Sequence, residues 1–174
     1  MDITKELSGN QTVLLLMPST AYNKQLVGVV KKLAKKSVCY VTLNKTANSL
    51  KELFKKNKVD VENIVFIDAI SATVMKVPKQ DNACYYCSSP GSLTEISLLV
   101  SKFLRHKFDY LIFDSLTNLL IYQKKAPVGK FVSSLINKIK ASDTRAVFYA
   151  LSAKEQQDLI QQSGMFVDKV VSVK

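Results

Sequence analysis

Lys24 and Asp114 are the two charged residues whose surroundings in the chain could support chemistry. Lys24 follows the apolar run Val13-Leu14-Leu15-Leu16-Met17 through the turn Pro18 to Asn23, and Asp114 closes the run FDYLIF, Phe108 to Phe113. A lysine in a loop leading from a buried strand into a helix is placed to hold a phosphate, because free backbone N–H groups at the helix start attract an anion. An acid at the end of a second apolar strand is placed to orient Mg²⁺ and water beside a triphosphate. Against the phosphate-loop pattern G-x-x-x-x-G-K-[ST], only Lys24 matches: Pro18 and Asn23 stand where the glycines belong, and Gln25 replaces the metal-binding hydroxyl. Pro18 lacks a backbone donor, and Asn23 puts a side chain where glycine permits close approach. The place for phosphate chemistry is present and most of its groups are not.

The elements that must position these residues read as a series of strands and helices. Thr12 to Gln25 predicts a strand buried on both faces, a tight turn and a helix start. Leu26, Val29, Val30 and Leu33, at i, i+3, i+4 and i+7, give that helix its buried face, and Lys24, Lys31, Lys32, Lys35 and Lys36 line its other sides. Ser37 to Leu43 predicts a second strand, and Thr46 caps a helix to Asn57 that buries Leu50, Leu53 and Phe54. Asn63 to Ile67 predicts a third strand ending at Asp68; polar residues Ser71 to Asn82 predict a surface excursion, and Ala83 to Cys87 a short strand. Ser92 and Glu95 have capping-box spacing for a helix to His106 with Ile96, Val100, Phe103 and Leu104 inside. Phe108 to Phe113 is the next strand, Asn118 to Tyr122 a helical turn, Gln123 to Ala126 a loop. Pro127 then opens a helix that buries Phe131, Val132, Leu135, Ile136 and Ile139. Thr144 to Ala150 predicts a strand, Ser152 caps a helix to Gln162, and Met165 to Val173 is a last strand. Strands alternating with helices imply an α/β fold of three layers around a mainly parallel sheet. Functional groups in such sheets gather at the carboxyl ends of strands, here Pro18 to Gln25, Leu43 to Lys45 and Asp114 to Thr117.

The 174 residues, 47% of them hydrophobic, suit one domain with a substantial core. No apolar run is long enough for a bilayer span and Met1 to Asn10 has no signal-peptide character, so the reading is a cytoplasmic protein without membrane insertion. Three cysteines form no disulfide framework; Cys84 and Cys87 make a lone C-x-x-C that, with His106 the sole histidine, falls short of a zinc set, so no metal is expected. The net charge of +11 fits anionic partners such as nucleic acid, although lysines on helix exteriors also serve simply as solvated surface, and Arg105 and Arg145 are the only arginines.

The chain resembles a RecA/KaiC-type ATPase domain over nearly its whole length. FDYLIFDSLTNLLIY is similar to that family's Walker B strand, and YVTLNKTANSLKELFKKNKVDVENIVFIDAIS resembles the second strand, helix and third strand of archaeal KaiC-like domains. SSPGSLTEISLLVSKFL resembles the helix before Walker B. The resemblance is closest to compact archaeal relatives regarded as inactivated and described as signal-transduction-like. It implies a RecA-like P-loop NTPase core in which Lys24 matches the phosphate-binding lysine and Asp114 the Walker B acid. The family's catalytic glutamate follows the second strand, where this chain offers only Asn44 and Lys45. A residual nucleotide set would comprise Ser19, Thr20, Tyr22, Asn23, Lys24, Gln25, Asp114 and Ser115, with no catalytic residue and no required cofactor. Each has a plainer reading: Lys24 as a solvated lysine, Asp114, Ser115 and Thr117 as turn groups, Tyr22 as a shield over the strand. The expectation is a noncatalytic domain acting as a regulatory or interaction module with an unidentified protein partner, as a monomer or small homo-oligomer. The alternatives are a weak ATP or nucleotide binder or slow NTPase, and a nucleic-acid binder using the lysine faces.

Overall fold

The apolar runs become the strands of one sheet in the computed structural model, which describes residues 1–173. In chain order the elements are α1 (Ile3–Gly9), β1 (Thr12–Met17), α2 (Tyr22–Leu33), β2 (Val38–Thr42), α3 (Ala47–Lys56), β3 (Ile64–Asp68) and α4 (Ser71–Val74). They continue with β4 (Gln80–Asp81), β5 (Cys84–Tyr86), α5 (Leu93–Arg105), β6 (Tyr110–Asp114), α6 (Leu119–Tyr122), α7 (Lys125–Lys140), β7 (Arg145–Leu151), α8 (Gln157–Phe166) and β8 (Lys169–Ser172). The sheet order is β4-β5-β3-β2-β6-β7-β1-β8, and only the β4–β5 pair is antiparallel. One strand, β7, therefore separates β1 from β6, and β2 lies on the far side of β6.

Period-two alternation divides the strands' side chains between two cores. Val13, Leu15 and Met17 of β1 join α1, α2 and α3 on one face, while Leu14, Cys39, Val41, Leu111 and Phe113 join α5, α6, α7 and α8 on the other. These are the expected three layers. The face of α2 is Leu26, Val29, Val30 and Leu33, all buried, each stabilising by about 1.5 to 3 kcal/mol. Asp68, Thr42 and Asp114 end three neighbouring strands in one register, Thr42 facing Asp68 on one side and Asp114 on the other.

Several local expectations are corrected. The first residues form α1, capped by Asp2, which accepts from the Thr4 N–H; Ile3 and Leu7 alone bury it. The excursion at 71–82 contains α4 and the two-residue β4. Ser92 and Glu95 make no capping box: Glu95 reaches back to the Ser88 N–H and hydroxyl, and Ser92 shares a hydrogen bond with Ser89. Leu104 and Leu53 are half-buried rather than fully inside. Helix α7 begins at Lys125, so Lys125 and Ala126 are helical rather than loop. Ser152 does not cap α8; its backbone N–H goes to the Met17 carbonyl, and a short 3₁₀ turn at Lys154–Gln156 leads into the helix. Met165 and Phe166 finish α8, and β8 starts only at Lys169, because Asp168 is pinned by the Thr12 N–H and hydroxyl at the start of β1.

Lys58 and Lys107 stand just past the caps of α3 and α5 with φ of 56° and 55°. After α3, Val59 N–H bonds to the Phe54 carbonyl and Lys58 N–H to that of Lys55, the αL ending in which glycine is the strain-free residue. A side chain in this conformation costs on the order of 1 kcal/mol.

Candidate functional site

Asp114 ends β6 at the carboxyl edge of the sheet, and its place in the alternation turns it toward α2 and α3. It is fully buried. Three tyrosines from three other elements converge on it. The Tyr22 hydroxyl, from the first turn of α2, donates to Oδ2, and so does the Tyr40 hydroxyl of β2 at 2.6 Å. Tyr149 of β7 is fully buried nearby, but its hydroxyl has no partner, and neither has Asp114 Oδ1.

Burial dominates the electrostatics. It pushes the Asp114 carboxyl up to about 6, against the opposing pull of the two phenol hydrogen bonds and the Lys45 charge. Burial, with the nearby carboxylate, also drives the Tyr22, Tyr40 and Tyr149 phenols well above their usual value, so all three keep their protons. Lys45 Nζ stands 5.9 Å from the centre of the Tyr22 ring, over its face, which leaves the cation outside the buried cluster and the phenol inside.

Around this cluster the chain ends of three strands are tied together. The Leu43 N–H donates to the Asp114 carbonyl at 2.6 Å, and Asn118 Nδ2 donates to the Leu43 carbonyl at 3.0 Å. Ser115 Oγ bonds to Asn118 Oδ1 and lies 3.1 Å from Thr117 Oγ1, which accepts from the Leu151 N–H. Ser115 and Thr117 thus make their hydrogen bonds within and beside the turn after β6. A cleft of about 660 Å³ opens beside this loop system, lined by Leu120 to Lys125 with Glu155 and Gln156.

Of the residues expected to form a nucleotide set, the fold brings Tyr22 and Asp114 into contact, with Ser115 adjacent in the chain. Ser19, Thr20, Asn23 and Lys24 are exposed, and Gln25 is half-buried. Tyr40 and Tyr149 went unnoticed in the sequence, although a tyrosine in the middle of an apolar strand needs a buried hydroxyl partner, and an aspartate ending the strand between them was the nearest candidate. Asp68, which the sequence marks only as a strand end, is part of the frame. It accepts four hydrogen bonds, from the N–H groups of Ala47, Ile70 and Ser71 and the Ser71 hydroxyl. Cys39, Cys84 and Cys87 are buried and unpaired, and burial pushes the thiols of Cys84 and Cys87 up to about 11 and about 12. Among the described residues no group of three His, Cys, Asp or Glu side chains comes together as a metal set, and no helix is long and apolar enough to cross a membrane.

The model of the family of unknown function DUF7090 matches residues 2–174. The chain belongs to that family. No curated protein matches the sequence. Among solved structures, the crystal structure of a KaiC-like protein from the hyperthermophilic archaeon Pyrococcus horikoshii is similar in fold. Its TM-score is 0.65 at 11% identity, over 94% of this chain and 72% of that one. The architecture is thus RecA-like, three layers around a mainly parallel sheet.

Proposed function

We propose that this chain is a noncatalytic RecA/KaiC-like domain that serves as a regulatory or protein-interaction module. The observation that carries the reading is the Tyr22 hydroxyl on Asp114 Oδ2. In a working site of this architecture the acid faces the metal and the phosphates held at the start of the following helix. Here that helix start supplies a phenol that occupies the acid, and Tyr40 binds the same oxygen from the other side. The remaining groups do not fit Mg-ATP: Gln25 offers no metal-binding hydroxyl, Lys24 is exposed, and Asn44 and Lys45 give no carboxylate after β2 to activate water. Interaction with a protein fits the same edge of the sheet, where Ile121 is 71% and Tyr122 45% exposed beside the cleft after β6.

A phosphate-release assay with Mg-ATP tests this. The expected outcome is no release above the buffer background, and turnover that Asp114→Ala abolishes would overturn the reading. A second reading, weak nucleotide binding with Tyr22 swung aside, draws on the unpartnered Asp114 Oδ1. It requires millimolar nucleotide to raise the melting temperature of the wild-type chain, because a ligand that binds only the folded state stabilises it.

A further inference from the structure

Helices α2, α3, α5 and α7 return antiparallel to the strands, so their carboxyl ends gather at the amino edge of the sheet, opposite Asp114. The first residues of β3, β2, β6 and β7 stand side by side there: Val38 faces Ile64 and Tyr110, and Tyr110 faces Arg145. Along this edge run Lys35, Lys36, Lys58, Arg105, Lys107 and Arg145, all exposed. Four strands about 4.8 Å apart make the row roughly 14 Å long. Lys36 lies 4.0 Å from Asp109, while the other five pair with no carboxylate among the described residues. Asp60, Glu62 and Asp143 share the edge without balancing it, and Asp109 is already engaged by the Ser37 N–H and hydroxyl.

Two further observations give the row a purpose. A groove of about 460 Å³ between the ends of α5 and α7 sets Arg105, Lys107 and Lys138 around a single acid, Asp143. Lys58 and Lys107 also hold left-handed backbone at the two helix ends where glycine would be free of strain. The chain keeps a cation in both places at the expense of backbone comfort.

We propose that this amino edge docks the phosphate backbone of a double-stranded nucleic acid without reading its sequence. Lysine predominates, a point charge suited to phosphate rather than to bidentate contact with a base. The exposed apolar pair Ile121 and Tyr122 stands at the opposite edge, beside the cleft after β6. A protein interface would need an apolar centre, and an anionic lipid surface, which also attracts a cationic row, is separated from the duplex by the vesicle arm of the test. The inference is independent of the reading of Asp114.

The test is fluorescence anisotropy of a labelled DNA duplex with the full chain, across about 50 to 200 mM salt. The double variant Lys58→Gly/Lys107→Gly removes two charges and also relieves the backbone, so its melting temperature stays level or rises. The expected result is saturable wild-type binding that weakens steeply with salt. In the double variant the log–log salt slope falls by about 2 and affinity at about 100 mM salt drops at least roughly tenfold. Lys76→Gln/Lys154→Gln removes the same charge at the opposite edge, outside the cleft after β6, and keeps wild-type affinity. No binding at the lowest salt, equal losses in the two double variants, or capture by anionic vesicles in place of the duplex would overturn the proposal.

Discussion

Asp68 and Asp114 differ in the donors that reach them. Both end a parallel strand, both are fully buried, both face α2 and α3, and both are in register with Thr42 between them. Asp68 is saturated: four donors from Ala47, Ile70 and Ser71 share its two oxygens and fasten the start of α3 to the end of β3. Asp114 receives two phenols on one oxygen and leaves the other empty. Backbone N–H groups offered by a turn hold a carboxylate as part of the frame. A half-satisfied carboxylate among tyrosines is instead destabilised as an anion.

The same substitution at the two positions should therefore have opposite signs. Asp68→Asn sets an amide against N–H donors and should cost about 3 to 5 kcal/mol by urea denaturation. Asp114→Asn removes a penalised charge while keeping an acceptor for the phenols, and should stabilise by about 3 kcal/mol above pH 6. The sign follows from the direction of the shift. With the carboxyl raised from 3.8 to about 6, the folded chain holds a proton that the unfolded chain has released. Stability is then fully present below that window and is lost as pH rises through it. Asp114→Asn should flatten the dependence between these two values; an unchanged profile would mean that another group sets it. Equal destabilisation by both asparagine variants would erase the distinction between the sites.

Tyr22→Phe sharpens the comparison from the donor side. Loss of one phenol should cost about 1 to 2 kcal/mol at neutral pH and move the pH dependence upward, since that hydrogen bond holds the Asp114 carboxyl down. Lys24→Ala, at an exposed position that the fold does not bring to Asp114, should change stability by less than about 0.5 kcal/mol.

Most of the frame was legible because its strands are buried on both faces. VLLLM, VCYVT, IVFI and YLIF have no alternative as continuous apolar runs between lysine-rich helices, and the parallel sheet follows from their alternation. Helix α1 was not legible, since two apolar residues four apart in seven carry almost no periodic signal. Nor was the diversion of Glu95, whose partner Ser88 lies outside the helix it was expected to cap. At the candidate site the sequence located Asp114 and the turn before α2 but not their relation. Tyr22, Tyr40, Asp114 and Tyr149 meet only because β2, β6 and β7 are adjacent in the sheet and α2 lies across them, an order that separation along the chain does not reveal.

Calorimetric titration of the wild-type chain and of Asp114→Asn with Mg-ATP tests the central claim most directly. If Tyr22 has replaced phosphate and metal at Asp114, neither protein gives saturable heat. Saturable heat in the wild type that Asp114→Asn abolishes would show that the carboxylate still serves a nucleotide, and would contradict the account.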